Sequence, residues 1–417
     1  MNNPHTQSVV NRLSHASLAA QFSEQMTIAV IPIAAVVAFN ATAQQTAALQ
    51  AVNTLPFLLL SLPAGVIADR MRRKHLMVVT ELLRAAALFV LFALFSRHAL
   101  TLVTLGALGF AIATGTVVFS VAAPSLVAAL VDTSGLLAAN RRLEIARSIA
   151  YTAGPSVGGM LAGWGSGVFA FLAAFTLSLV SAGFMARLPR EARRAPSGRH
   201  VAQELADGLR FIGGNPWLRP IVATAFVFNT SWFLLLSVFA WYAIHRLAFS
   251  ASEVGFALGV YGFGMIAGAF LYPGLAKRLA FGRQILLGPS CAAIAAVLMA
   301  CSTLVHAKAS ASPVFAAFFL FGFGPIVWTI STTSLRQIVT PGHLIARVSS
   351  VIMMATAGAR PLGALLGAWL STRFGIGSCL VGVLIGFGAQ LAIIVFSQPV
   401  RLRSITTLNE APATAAA

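Results

Sequence analysis

Glu24 lies in Gln21-Phe22-Ser23-Glu24-Gln25-Met26-Thr27, inside the first long apolar run of the chain. A carboxylate in hydrocarbon is costly unless it is protonated, paired or set in a wet cavity, so an acid there marks a functional position by default. Its chemistry is reversible proton binding, which makes Glu24 the expected proton-coupling group. Arg360, directly before Pro361 in another apolar run, is expected to face a cavity and attract an anionic or polar solute. Glu81 and Arg84 stand three residues apart, as do Glu144 and Arg147. Helical side chains at that spacing meet, and both pairs read as structural ion pairs near one membrane surface. Asp69 belongs to a different pattern, Leu62-Pro63-Ala64-Gly65-Val66-Ile67-Ala68-Asp69-Arg70-Met71-Arg72-Arg73-Lys74. There an apolar run ends in a glycine, a carboxylate and a cluster of cations, as a helix does when it leaves a bilayer through a tight charged turn.

These residues need long apolar elements to hold them. The chain is 58% hydrophobic and only 9% charged, where a soluble domain carries about 25% charged residues. Apolar runs fall at about 16–39, 47–68, 76–96, 101–123, 143–162, 166–186, 217–244, 253–275, 284–305, 312–334, 346–370 and 376–397. Backbone groups in hydrocarbon must be satisfied internally, so all twelve are expected to be helices. Runs this long and uniformly apolar do not suit barrel strands. Of 28 lysines and arginines, only Arg84 and Arg360 fall well inside runs, and only Arg97, Arg246, Lys308 and Arg373 fall on the face opposite the termini. Cations gather on the cytoplasmic side, so both termini are expected in the cytoplasm. The net charge of +18 is then loop charge that orients the chain, and no nucleic-acid partner is expected.

The longest connection, 187–216, starts basic and then turns helical, with Val201, Leu205, Leu209 and Ile212 at helical spacing. It is expected to carry a short amphipathic helix on the inner membrane surface and to divide a bundle at 1–186 from one at 217–400, with a cytoplasmic tail at 401–417. Matching pieces recur in the same order in both halves. Gly154-Pro155…Gly163-Trp164 answers Arg360-Pro361…Ala368-Trp369, and Ser125-Leu126 answers Ser334-Leu335. Parallel repeats of this kind place a binding site between the halves at mid-membrane. Polar and aromatic residues within the runs are the candidates to line it: Gln25, Asn229, Trp232, Tyr261, Trp328 and Thr332, with Arg360.

Gly65-x-x-x-Asp69-Arg70-x-x-Arg73-Lys74 resembles the loop between the second and third helices of the major facilitator superfamily. Gly154-Pro155-x-x-Gly158-Gly159 resembles the fifth-helix signature of its antiporting exporters, although Ala150 stands where that signature has a further glycine. Pro124-Ser125-Leu126-Val127 and Asn215-Pro216-Trp217-Leu218-Arg219 look like the branch that holds enterobactin exporters and macrolide efflux proteins. The resemblance implies an all-α membrane protein of twelve transmembrane helices in two six-helix parallel repeats. It further implies an exporter of a small hydrophobic or amphipathic molecule, in exchange for protons, in a bacterial inner membrane. Gly65, Asp69, Arg70 and Arg73 would form a conformational latch, with Asp69 facing the start of the eleventh helix near Arg347-Val348-Ser349-Ser350. The charged fourth-helix motif of many drug antiporters is absent, which raises the importance of Glu24. An importer, a lipid translocator and a non-transporting receptor are the alternatives.

Enzymatic chemistry finds no support. There is no triad spacing, histidine cluster or Gly-x-x-x-x-Gly-Lys-Ser/Thr loop for ATP. Cys291, Cys301 and Cys379 lie in apolar runs without metal-ligand spacing and read as buried thiols. No cofactor or metal is expected. The expected partners are a small-molecule substrate, protons and the bilayer, and the expected state is a monomer.

Overall fold

The computed structural model describes residues 4–60, 63–64, 71–131, 133–165, 167–189, 201–303, 311–342 and 344–403. Within the first half run α1 (Pro4–Phe39), α2 (Ala43–Leu59), α3 (Arg73–Ser96), α4 (Leu102–Leu130), α5 (Thr133–Gly165) and α6 (Val168–Ala186). The connecting helix α7 (Val201–Gly214) follows. The second half holds α8 (Leu218–His245), α9 (Ala251–Arg278), α10 (Phe281–Cys301), α11 (Ala311–Val339), α12 (Ile345–Phe374) and α13 (Ile376–Val395). Ten of these are long and apolar enough to cross a membrane. α2 and α5 complete the twelve crossings expected from the sequence.

Local chemistry marks the helix starts. Thr42 with Gln45, Thr101 with Thr104 and Ser250 with Glu253 form reciprocal caps that satisfy the first free backbone N–H groups. Several helices are longer than their apolar runs. α1 begins at Pro4, well ahead of position 16, because Val9, Val10 and Leu13 are buried in the first-half core and carry the helix beyond the apolar stretch. Glu24 therefore sits about five turns into α1, deeper along the helix than the apolar run alone implied. The described segment starts at Pro4 and ends at Arg403, and the residues near both of these points lie at one end of the bundle. There Arg12 donates to the Arg187 carbonyl at the end of α6 (2.7 Å), and Gly282, opening α10, donates to the Leu402 carbonyl (2.8 Å).

The core divides unequally along the bundle. At the end away from the termini, one continuous cluster joins the halves, with Val30, Phe95 and Phe171 of the first and Phe239, Phe318 and Phe387 of the second. At the terminal end the cores are separate: one around Leu13, Met77 and Leu126, another around Ile221, Phe281 and Leu335. Membrane helices associate through close packing of small residues, and the tight crossing of α5 with α9 follows that rule. A methyl group added at Gly159 of α5 would lie 2.6 Å from the Gly255 Cα of α9, and one added at Gly262 would lie 2.5 Å from the Tyr151 carbonyl. Among the described residues, these tight approaches between α5 and α9 run from mid-bundle to the far end. The halves are thus sealed at the far end.

Gly159→Val is expected to hold that seal apart. The added bulk meets backbone, which cannot rotate away, and overpacking of this kind costs about 1–3 kcal/mol. A Leu258→Cys probe, in a background without the three native cysteines, should then react faster with an impermeant thiol reagent applied from the far side. Unchanged labelling would show that the seal does not depend on this contact.

α7 docks on the second half. Leu205 and Ile212 pack with Leu218, Val348 and Val351, while Leu209 stays exposed, so the apolar face predicted for this helix is split between protein and surroundings. Asp207 accepts a hydrogen bond from Arg347 Nη1 at 2.7 Å. A side chain at Gly208 would run into the Arg347 carbonyl at 2.8 Å, which explains the glycine facing α12.

Candidate functional site

Two adjoining cavities occupy the middle of the bundle between the halves. The central one, about 210 Å³, is lined by Glu24, Gln25, Asn53, Phe57, Tyr151, Asn229, Trp232, Phe233, Tyr261 and Arg360, among others. The second, about 280 Å³, shares Phe228, Asn229 and Tyr261 with it and adds Arg147, Trp328, Thr332, Arg336 and Gln390. The sequence candidates therefore assemble as one region but not as one shell. Gln25, Asn229, Trp232, Tyr261 and Arg360 line the central cavity, whereas Trp328 and Thr332 belong to its neighbour.

The first half supplies Glu24 from α1. Its carboxylate has no cation within 4.0 Å among the described residues, although Arg84, Arg360 and Arg147 are close enough to act on it electrostatically. The glycine–proline motif of α5 sets this wall. A methyl group at Gly154 would strike Gln25 Cβ at 2.8 Å, and one at Gly158 would lie 3.1 Å from the Met26 carbonyl. Gly154 and Gly158 thus let α5 press against α1 beside Glu24. Gly159, one residue further, faces α9, and Pro155 bends between the two contacts. The motif serves two neighbours, because residues one apart on a helix point about 100° apart.

The second half supplies an aromatic wall and Arg360. Trp232 stacks on Tyr261 with ring centres 4.8 Å apart. The Arg360 guanidinium lies over Phe57 of α2 at 4.5 Å and Phe233 of α8 at 5.4 Å. Its Nε is buried without a hydrogen-bond partner. Two ring faces hold the charge by cation–π attraction and leave the edge of the guanidinium, where its donors lie, unsatisfied.

Behind Glu24 lies an ion pair that was expected near the membrane surface. Glu81 and Arg84 are instead wholly buried, at 0% and 1% exposure, with Arg84 Nη1 3.0 Å from Glu81. α3 begins at Arg73, so the pair sits in its third turn, on the face turned toward α1 and α4. Arg84 also donates to the Ala20 carbonyl at 3.1 Å and to Thr116 Oγ1 at 3.0 Å, tying α3 to α1 and α4 one turn from Glu24. The Glu144–Arg147 pair, at 3.2 Å, is partly exposed, and its arginine lines the second cavity.

Of the latch residues, Gly65, Asp69 and Arg70 lie outside the described residues. Arg73 opens α3 and is buried. At the start of α12, where Asp69 was expected to point, Arg347 is held by Asp207 of α7. The cysteines differ from the sequence reading: Cys379 is buried, Cys291 half-buried and Cys301 exposed. Among the described residues no group of acidic, histidine or cysteine side chains forms a metal site. Phe57, Tyr151, Phe233 and Arg336 escaped the sequence reading. Tyr151 carried a faint signal, standing one helical turn before Pro155.

A family model described as Major Facilitator Superfamily matches residues 13–364. The chain belongs to the major facilitator superfamily. Solved transporters share its fold at low identity. A POT family transporter in complex with 5-aminolevulinic acid is 13% identical, with a TM-score of 0.76 over 95% of this chain and 99% of that one. A point mutant of the nucleoside transporter NupG is 11% identical, with a TM-score of 0.75 over 93% of this chain and 98% of that one. A bacterial homologue of the iron transporter ferroportin, in an inward-facing state, is 15% identical, with a TM-score of 0.74 over 93% and 98%. No curated protein matches the chain. This facilitator is therefore a multi-pass membrane transporter of twelve helices in two six-helix repeats, and its cavity lies where the repeats meet.

Proposed function

We propose that this facilitator exports a small hydrophobic or amphipathic molecule, such as a drug, a siderophore or another secreted metabolite, by proton antiport and alternating access. The observation that carries the reading is Glu24: a carboxylate without an ion-pair partner among the described residues, in a cavity between halves that are sealed at one end. A proton and a solute that compete for such a cavity are exchanged when the halves rock about it. Loop charge supports a bacterial inner membrane with both termini cytoplasmic, so the seal faces outward and solute enters from inside. The helix-5 glycines and the Pro124-Ser125 and Asn215-Pro216 motifs support the efflux branch. The driving force suffices. One charge moving through 100 mV supplies about 2.3 kcal/mol, and tenfold costs about 1.4 kcal/mol, so one proton sustains nearly a fifty-fold gradient.

Reconstituted vesicles with an imposed pH gradient test this. Solute should move against the proton flow, and collapsing the gradient should stop net movement while leaving exchange. Solute moving with the protons would make the protein an importer. The latch adds its own test. Asp69→Asn removes the charge proposed to hold the cytoplasmic face closed against the N-terminus of α12. It should shift the conformational equilibrium toward the inward-open state by about 0.3–1 kcal/mol, a shift readable as distance changes between spin labels on α5 and α9. An unmoved equilibrium and unchanged transport would remove Asp69 from the mechanism.

A further inference from the structure

The charges around the central cavity leave a remainder once their partners are counted. Glu81 is matched by Arg84 at 3.0 Å, and Glu144 by Arg147 at 3.2 Å. Glu24 and Arg360 both line the cavity, and among the described residues neither has an opposite charge within 4.0 Å. They come from opposite halves, α1 and α12. From these facts we infer that the central cavity selects zwitterionic amphipaths: solutes that carry one protonated amine and one carboxylate-like anion on an aromatic or apolar body.

The argument is one of exclusion as much as attraction. A solute with only an anion would satisfy Arg360 but bring like charge toward Glu24. A solute with only a cation would satisfy Glu24 but bring like charge toward Arg360. One solute bearing both signs meets each group with its opposite. The anion finds a guanidinium that lies over the Phe57 and Phe233 rings and lines the cavity with no carboxylate on it among the described residues, and its fork of N–H donors suits a planar oxyanion. The amine finds Glu24, beside the aromatic wall built on the stacked Trp232 and Tyr261. The body lies against the same aromatics. Arg336 extends the scheme into the adjoining cavity: its Nε is buried without a hydrogen-bond partner, and it offers the anionic end a second guanidinium. The other groups around Glu24 do not alter the count. Arg84 and Arg147 each have a carboxylate within 3.2 Å, and a tyrosine such as Tyr151 brings no charge at neutral pH.

This selection rests on the exporter reading for its physiological sense. Because the amine and a proton compete for Glu24, a zwitterion is the charge type whose binding displaces a proton while leaving no bare charge at Arg360. It also ties the two halves together through one molecule.

The test uses four matched fluorescent probes on the full-length protein in vesicles: Nε-dansyl-lysine (zwitterion), its methyl ester (cation), its Nα-acetyl derivative (anion) and its Nα-acetyl methyl ester (neutral). The zwitterion should bind at least about tenfold more tightly than either singly charged probe, the ratio that 1.4 kcal/mol supplies. Glu24→Gln and Arg360→Gln should each remove most of that preference, and Arg360→Lys, which keeps the charge but not the planar fork, should keep only part of it. Unchanged binding of the neutral probe checks that each variant is folded. Equal binding of all four, tighter binding of one singly charged probe, binding of none, or a preference that survives both substitutions overturns the inference. Flux of the same probes under a pH gradient separates the two levels. Selective binding without flux counts against the exporter and leaves the selectivity standing; flux without charge preference does the reverse.

Discussion

Glu24→Gln abolishes transport driven by a pH gradient and spares exchange of solute for solute. Glutamine keeps the size and hydrogen-bonding shape of the acid but cannot take up or release a proton. The effect is expected to be large because, among the described residues, the carboxylate has no ion-pair partner that could inherit its role, and Arg84, Arg147 and Arg360 act on it only at longer range. Counterflow in vesicles, with and without a gradient, reads both halves of the expectation. Net uphill movement at the wild-type rate in the variant would rule out Glu24 as the coupling group.

Arg84→Leu is expected to cause the largest loss of stability of any single substitution in the first half, about 3–5 kcal/mol. The arginine is one of the largest fully buried side chains of the molecule and serves three helices through Glu81, the Ala20 carbonyl and Thr116. Its removal strands Glu81 as an uncompensated charge. Replacing both members, Glu81→Leu with Arg84→Leu, should recover much of the loss, since paired removal leaves no bare ion. Thermal or denaturant unfolding of the purified protein in detergent gives the comparison. A double variant no more stable than the single one would mean that Arg84 acts through the Ala20 carbonyl and not through Glu81. Since that carbonyl lies one turn before Glu24, the single variant should also shift the pH dependence of transport, which a purely mechanical brace would not do.

The helices were legible because bilayer spans are a local property. Every apolar run is helical over most of its described residues, and the errors were at the ends: α1 reaches back to Pro4 and α5 to Thr133. Those extensions carry polar residues, so hydropathy could not report them. Glu24 and Arg360 stood out for the opposite reason, as charges where hydropathy forbids them. The i,i+3 spacing of Glu81 and Arg84 announced a pair but not its depth. Depth depends on where α3 begins and on which face meets α1 and α4, and neither is encoded within four residues.

Composition and hydropathy therefore established a membrane bundle, its charge bias and the residues too costly to be idle, and matching motif pieces suggested its two repeats. They did so because the free energy of placing a segment in hydrocarbon is a sum over nearby side chains. Tertiary packing decided the rest: that Arg360 lies over Phe57 and Phe233, that Gly159 lets α5 touch α9, that Arg347 is held by Asp207, and that Glu24 has no ion-pair partner among the described residues. Each of these joins residues far apart in the chain or, for Glu24, depends on which distant cations are already engaged. Such contacts are set by how helices cross, and a crossing is a property of two surfaces at once.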